Sequence, residues 1–392
     1  MELKIGNVAV SELVRVYGTP LYVYDKEIIL ERIAALKEAF PSAHICYAIK
    51  ANSNPALLKL IASQGLGADC SNKTEIELAE MAGFNIRNSV CTLISPTDED
   101  LQKAIQSRIT VNLNDVSLLP RLLKWGTPSK LAFRINPGFG AGKFPGIVCG
   151  GADSKFGVSM DEAIEGYKHA KRAGVSEFGI HMMTGSCVLD EKYFDEAAKV
   201  LATFAKEIEL KAGIRFSFVD IGGGFGVPYD PSERPLNIKT VGQKVSEVLA
   251  EWKIVLEPGR YIIAEAGTLL TSVTARKEKI VFVDAGMTNL IRPALYGAYH
   301  SIVASNATDE TEEVKIVGPI CESTDVFTEN RTISRTKEGD ILAIQVAGAY
   351  GFAMSSQYNG SCRPAEVVVS KGTHKLIRER ETTADVIRNA RY

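Results

Sequence analysis

The 392-residue sequence predicts an α/β chain, a closed (β/α)8 TIM-like barrel joined to a second, antiparallel β domain. Two observations predict it. Eight short apolar, β-branched runs fall between residues 44 and 257, with helix-like segments between several of them. From residue 268 onward, strand-like runs follow one another with few helices. Alternating strands and helices imply parallel pairing through crossovers, and a closed barrel typically takes about 250 residues. A doubly wound open sheet is the rival arrangement and usually has fewer strands.

The eight runs are HICYAI (from His44), LGADC (from Leu66), VCTLI (from Val90), ITVNL (from Ile109), LAFRI (from Leu131), FGIHM (from Phe178), FSFVDI (from Phe216) and KIVLE (from Lys253). Apolar residues three and four apart predict helices over residues 54–64, 73–82, 160–173 and 190–211. Gly65, Gly83, Gly174 and Gly213 sit where those helices should stop. The later strands read LLTSVTAR (from Leu269), KIVFVDAG (from Lys279), EVKIVGP (from Glu313), DILAIQV (from Asp340) and AEVVVS (from Ala365). The early run LYVYD (from Leu21) belongs with them. The expected domains are therefore 26–267 for the barrel, and 1–25 plus 268–392 for the β domain.

Composition narrows the function. A hydrophobic content of 45% with 23% charged residues is that of a soluble globular protein. A net charge of −2 without a Lys/Arg-rich run gives no reason to expect nucleic acid or an anionic membrane. No apolar stretch of about 18 residues offers a membrane span, and the first eleven residues lack the apolar core of a signal peptide. A cytoplasmic location is the default. The seven cysteines (Cys46, Cys70, Cys91, Cys149, Cys187, Cys321, Cys362) form no CxxC pair, so neither a disulfide framework nor a metal site is expected.

A barrel carries its active site at the C-terminal ends of its strands, and polar residues cluster at those ends here. They are Lys50 and Asn52, Asp69, Arg134 and Asn136, His181, Thr184 and Ser186, Gly222, Gly223 and Gly224, and Glu257 and Arg260. A lysine after a strand is commonly a solvated cation. Lys50, within Tyr47-Ala-Ile-Lys-Ala-Asn, has an apolar setting in which a neutral, nucleophilic amine is easier to maintain. The glycines after Asp220 form either a tight turn or a cradle whose N–H groups close on a phosphate. The helix that a dinucleotide fingerprint needs does not follow them. Glu257-Pro-Gly-Arg is either a surface ion pair or a carboxylate placed for a pyridinium nitrogen.

An ordered set of motifs resembles the fold-type III decarboxylases dependent on pyridoxal 5'-phosphate (PLP), above all the branch acting on meso-2,6-diaminopimelate. The set is YAIKAN (47–52), ADCSNKTEIELA (68–79), SKFGV (154–158), DIGGGFG (220–226), EPGR (257–260), IRPALYGAYH (291–300), VGPICESTD (317–325), GAYGFAMSSQYN (348–359) and RPAEV (363–367). The resemblance implies the alanine racemase-like fold and a homodimer with active sites shared between subunits. It implies Lys50 as the Schiff-base lysine, Ser186, Gly222, Gly223 and Gly224 as phosphate ligands, and Glu257 as partner of the pyridinium nitrogen. Asp69, Gly259, Arg260 and Tyr350 fall at the cofactor. Cys321 would protonate Cα after CO2 leaves, and Cys321 and Glu322 would come from the other subunit. Arg260, Arg292 and Tyr296 match positions that hold substrate carboxylates, a role that suits the arginine fork. Glu322 matches the residue that receives the distal ammonium, and Tyr350 a tyrosine at cofactor and substrate. The Arg292/Tyr296 pair favours diaminopimelate, giving L-lysine and CO2, over a diamine precursor without a distal carboxylate.

The chain departs from the family at three places. Met183 stands where the family usually carries a histidine stacked on the PLP ring, with His181 two residues earlier on the same facing. The loop 138–151 holds six glycines, and residues 359–363 differ slightly. The rival functions are a decarboxylase for another amino acid or a carrier-bound substrate, an amino-acid racemase, and a non-catalytic PLP-binding barrel.

Overall fold

The computed structural model describes residues 2–143, 151 and 154–391. The chain folds into two compact units. One comprises Ile33–Val227 and Pro235–Arg260; the other comprises Met1–Arg32, Pro228–Arg234 and Tyr261–Tyr392.

In the first unit the eight apolar runs become eight parallel strands. They are β1 (His44–Ala48), β2 (Gly67–Cys70), β3 (Val90–Leu93), β4 (Thr110–Leu113), β5 (Lys130–Arg134), β6 (Glu177–His181), β7 (Phe216–Asp220) and β8 (Lys253–Leu256). Each pairs with the next, and β8 returns to β1 through Val255 opposite His44 and Leu256 opposite Ile45. That closure excludes the open sheet. Helices follow the strands, among them Pro55–Ala62, Lys73–Ala82, Met160–Arg172 and Glu191–Ala212. Asn54, Asn72, Ser159 and Asp190 cap these four through their side chains, supplying acceptors to orphan N–H groups of the first turn. Gly83 and Gly213 end two of them in the left-handed conformation, as expected from sequence.

The barrel interior is packed. Cys46, Val90, Ala132 and Phe218, from the four odd-numbered strands, cluster with Val255, the layering expected when alternate strands fill a small barrel. Phe218 fits because Gly179 stands beside it: a Cβ at Gly179 would lie 2.1 Å from the Phe218 ring. The β6–β7 register shifts between Phe178 and Gly179 at the same place.

The second unit holds a nine-stranded sheet among the described residues. Its central strand, Gly267–Lys277, pairs antiparallel with Leu21–Asp25 on one edge and Ile341–Ile344 on the other. The sheet is antiparallel-rich, as expected, with a correction in detail. Leu21–Asp25 runs parallel to Ala365–Ser370, and Ile280–Val283 runs parallel to Thr311–Val317. Val326–Ser334 and Thr373–Arg378 are strands that sequence reading did not single out; their charged residues weaken the alternation. The core joins Val10, Leu13, Leu21, Val23, Leu270, Val367 and Val369. No helix among the described residues is long and apolar enough to cross a membrane.

The Gly179–Phe218 contact yields a test of the barrel packing. Gly179→Ala should cost about 1–3 kcal/mol of stability through overpacking, measured by chemical denaturation. An unchanged midpoint would contradict the packing described.

Candidate active site

The polar residues picked out by sequence do stand at the C-terminal ends of the barrel strands. Lys50 occupies the single 3-10 turn Ile49–Ala51 directly after β1. Its Nζ lies 2.5 Å from Asp69 Oδ2 on β2. The flanking Tyr47, Ala48, Ile49 and Ala51 are buried, but the Lys50 side chain is 46% exposed and ion-paired to a fully buried carboxylate. Lys50 therefore has a buried acidic partner, and its own side chain does not lie in an apolar setting.

Three buried acids face one another behind that lysine. Burial, then the charge of Glu257, raises the Asp69 carboxyl to about 7, and the Lys50 ion pair offsets this only in part. Burial and Glu257 likewise raise Asp220 well above the carboxylate range. Glu257 follows β8 and behaves oppositely. Burial alone would raise it, but His181, Lys50 and Arg134 bring it down to about 2. Of the three, Glu257 is the one whose carboxyl is held below its ordinary range, so it keeps its negative charge at neutral pH.

His181, at the end of β6, places Nε2 3.2 Å from Glu257 Oε2, and both side chains are buried. Burial lowers the His181 pKa, with Glu257 opposing, and the ring's Nε2–H donates to the Glu257 carboxylate. Glu257 Oε1 is buried without a hydrogen-bond partner among the described residues. His181, Asp220 and Glu257 bring ligand-type atoms within 4.8 Å of one another. Arg134, at the end of β5, lies over the Phe156 ring and donates to Met183 O at 2.9 Å.

The turn after β7 is held open by its glycines. Gly222 and Gly224 have φ of +67° and +86°. Side chains would collide at all three positions: with Met183 Sδ (2.7 Å) at Gly222, Glu257 O (2.4 Å) at Gly223 and Gly185 O (2.8 Å) at Gly224. Asp220 Oδ1 accepts from Gly222 N at 2.8 Å, and Gly222 O accepts from Glu257 N at 2.7 Å. The glycine turn and the carboxylate are thus locked together. Met183 Sδ accepts from Gly223 N at 3.2 Å, so the thioether packs on the turn. Arg260 Nη2 stands 3.4 Å from Ser186 Oγ beside it. Gly259 lets its segment cross the lysine turn, since a Cβ there would meet Ala51 Cβ at 2.9 Å and Ala48 Cβ at 3.0 Å.

Residues 144–150 of the glycine-rich loop, with Cys149, lie outside the described residues. The loop's base is pinned: Asn136 Oδ1 accepts from Gly138 N and Gly151 N, and Ala141–Gly142 pairs in parallel with Gly185–Ser186.

The other expected site residues belong to the second unit. Arg292 begins the helix Arg292–Tyr296 and is the largest fully buried side chain described. Cys321 and Glu322 are exposed on a loop, and Tyr358 Oη donates to Glu322 Oε2 at 3.2 Å. Tyr350 adopts φ +56°, a conformation uncommon for a bulky residue and concentrated at functional sites. Cys46, Cys70, Cys91 and Cys187 are buried free thiols, and the described cysteines form no disulfide.

Sequence reading missed three elements. Asp220 lies within the DIGGGFG motif and His181 at a strand end, but neither position carries a role that the sequence assigns. Tyr229 and His300, which hold Arg292, went unnoticed as partners. A histidine inside the motif ending at residue 300 was the available signal, but a contact spanning about 70 residues has no local trace.

This donor set fits an aldehyde cofactor that carries a phosphate and a pyridine nitrogen. An amine stands at the barrel mouth, a cradle admits no Cβ, and an ionised carboxylate keeps one oxygen unpartnered. The comparisons agree. Residues 26–264 match the family described as pyridoxal-dependent decarboxylase, pyridoxal binding domain. A curated diaminopimelate decarboxylase from Methanothermobacter thermautotrophicus is 41% identical over 98% of this chain and 95% of its own. One from Aquifex aeolicus is 39% identical over 97% and 93%. The crystal structure of diaminopimelate decarboxylase from Helicobacter pylori complexed with L-lysine superposes with a TM-score of 0.92 at 35% identity, covering 96% of this chain and 98% of that one.

The chain belongs to the pyridoxal-dependent decarboxylases, with the alanine racemase-like fold. Its cofactor is pyridoxal 5'-phosphate, and its class of reaction is that of a carboxy-lyase.

The raised Asp69 carboxyl makes a signed prediction for the cofactor-free protein. With a folded pKa of about 7 against an ordinary 3.8, Asp69 keeps a proton that the unfolded chain releases. Its contribution to stability therefore falls as pH rises from about 4 to about 7. Between pH 5 and 7.5, wild-type Tm should decline relative to Asp69→Asn. A constant difference across that window would show that Asp69 is ionised throughout.

Proposed function

We propose that the chain is a diaminopimelate decarboxylase, converting meso-2,6-diaminopimelate to L-lysine and CO2. The observation that carries this reading is the Lys50–Asp69 pair at the barrel mouth, in a chain similar over nearly its whole length to curated enzymes of that name. The L-lysine held by the Helicobacter pylori enzyme supports the product.

Lys50 would hold the cofactor through Nζ, with Asp69 steering the amine. Gly222, Gly223, Gly224, Ser186 and Arg260 would hold the phosphate, and Gly259 keeps the lysine turn and the neighbouring segment close. Glu257 would face the pyridine nitrogen. Its single charge, steadied by His181, favours a proton on that nitrogen. When bound, the cofactor supplies the sink for the electron pair left as CO2 departs.

The remaining work belongs to side chains that orient substrate and move a proton. Arg292, Tyr296 and Arg260 bind substrate carboxylates, Glu322 receives the distal ammonium, and Tyr350 lies at cofactor and substrate. The Cys321 thiol delivers the proton to Cα. The protein acts as a homodimer, with Cys321 and Glu322 of one subunit serving the barrel of the other. Support comes from the loop itself. It is exposed yet firmly built: the Asp325 carboxylate accepts from Met287 N at 2.6 Å and Ile320 N at 2.7 Å.

Two measurements test this function. Given diaminopimelate, lysine, ornithine and arginine separately, the PLP-loaded protein should release CO2 efficiently from diaminopimelate alone. Release from ornithine instead, or from none of the four, would overturn the assignment. Lys50→Ala and Cys321→Ala should each be inactive. Equal mixing with subunit exchange should recover about a quarter of wild-type activity, since half the dimers gain one intact site of two. Full exchange without recovery would refute a shared site.

A further inference from the structure

Arg292 is only 1% exposed, and a buried guanidinium has to be satisfied on every side that its ligand does not fill. Its surroundings are built from residues distant in sequence. The guanidinium carbon lies 4.3 Å from the centroid of the Tyr229 ring. Arg292 Nη1 is 2.9 Å from His300 Nε2. His300 Nδ1 is in turn 2.9 Å from the backbone carbonyl of Gln345. The His300 ring also stands at 80° to Tyr229, with centroids 5.2 Å apart.

Chemistry fixes the tautomer of this histidine. Arginine has donors only, so His300 Nε2 must accept. A carbonyl oxygen accepts only, so Nδ1 must carry the hydrogen that Gln345 O receives. Both contacts are met at once by a single form of the ring. The Tyr229 face then sets the plane of the guanidinium, and the His300 lone pair sets its rotation within that plane. An arginine side chain carries about 2 kcal/mol of rotamer entropy, so a fork held this way presents one chosen edge to a planar anion. Tyr229 alone would leave that edge undefined.

We propose that His300 is a specificity-positioning residue: through its Nε2 acceptor it orients the Arg292 fork for the carboxylate at the far end of the substrate. This rests on the reading of Arg292 as the distal-carboxylate ligand. His300 does not touch the reacting atoms. Its loss should weaken recognition of the distal carboxylate and leave bond breaking at the other end of the substrate little changed.

The test uses the PLP-loaded enzyme, with L-lysine, which keeps that carboxylate, and cadaverine, which lacks it, as competing ligands. His300→Leu should raise KM for diaminopimelate about tenfold or more and weaken L-lysine binding by a similar factor, with cadaverine unaffected and kcat changed far less. His300→Gln, whose carboxamide oxygen reaches toward the Nε2 position, should recover most of the loss. His300→Asn, which reaches only as far as Nδ1, should not. The Gln and Asn pair decides the matter should the Leu variant fail to fold. Arg292→Lys separates the two levels of the argument. If it leaves the preference for L-lysine over cadaverine intact, the reading of Arg292 itself is wrong. If it abolishes that preference while folded His300→Leu or His300→Asn keeps wild-type discrimination, the role of His300 is overturned.

Discussion

One negative charge, buried where the barrel strands end, organises the chemistry of this protein. Glu257, Asp69 and Asp220 are all buried and close enough to repel, so their carboxyls cannot all ionise cheaply. Glu257 keeps its charge because His181, Lys50 and Arg134 converge on it. Much of the surrounding structure follows from keeping that arrangement. The Glu257 backbone N–H ties the carboxylate to the glycine turn, and Asp220 closes the same turn from the other side.

The closed barrel is what allows residues from six strands to meet. β8 pairs with β1, which brings the segment after Leu256 across the Lys50 turn, and Gly259 permits the crossing. A side chain at position 259 would crowd Ala48 and Ala51 beside Lys50. In this way a packing requirement and a chemical one fall on the same residue. The second unit solves a different problem, holding an arginine in its interior with a ring face and a histidine lone pair.

Much of the barrel was legible in sequence because its signals are local. Eight apolar runs, capped helices and terminal glycines each act within a few residues of themselves. The strand-end residues were legible for the same reason, since the end of an apolar run marks the mouth of the barrel. The Lys50–Asp69 ion pair was not legible because it depends on β1–β2 pairing, which sequence neighbours do not reveal. Val326–Ser334 escaped notice because the polar run Glu329-Asn330-Arg331 interrupts it and the pairing register shifts there, which breaks the alternation. The His181–Glu257 and Arg292–His300–Tyr229 groupings were hidden for the same physical reason. Each joins segments that only the tertiary fold brings together.

Met183 packs into this framework without disturbing it. Its thioether packs on the glycine turn and accepts from Gly223 N, while the imidazole two residues earlier serves the buried carboxylate. The central claim is that Lys50 carries the cofactor, and borohydride reduction of the PLP-loaded protein followed by peptide mass spectrometry tests it most directly. The account predicts a phosphopyridoxyl adduct on the peptide containing Lys50. An adduct confined to another lysine, or a tightly bound cofactor that no reduction attaches, would contradict it.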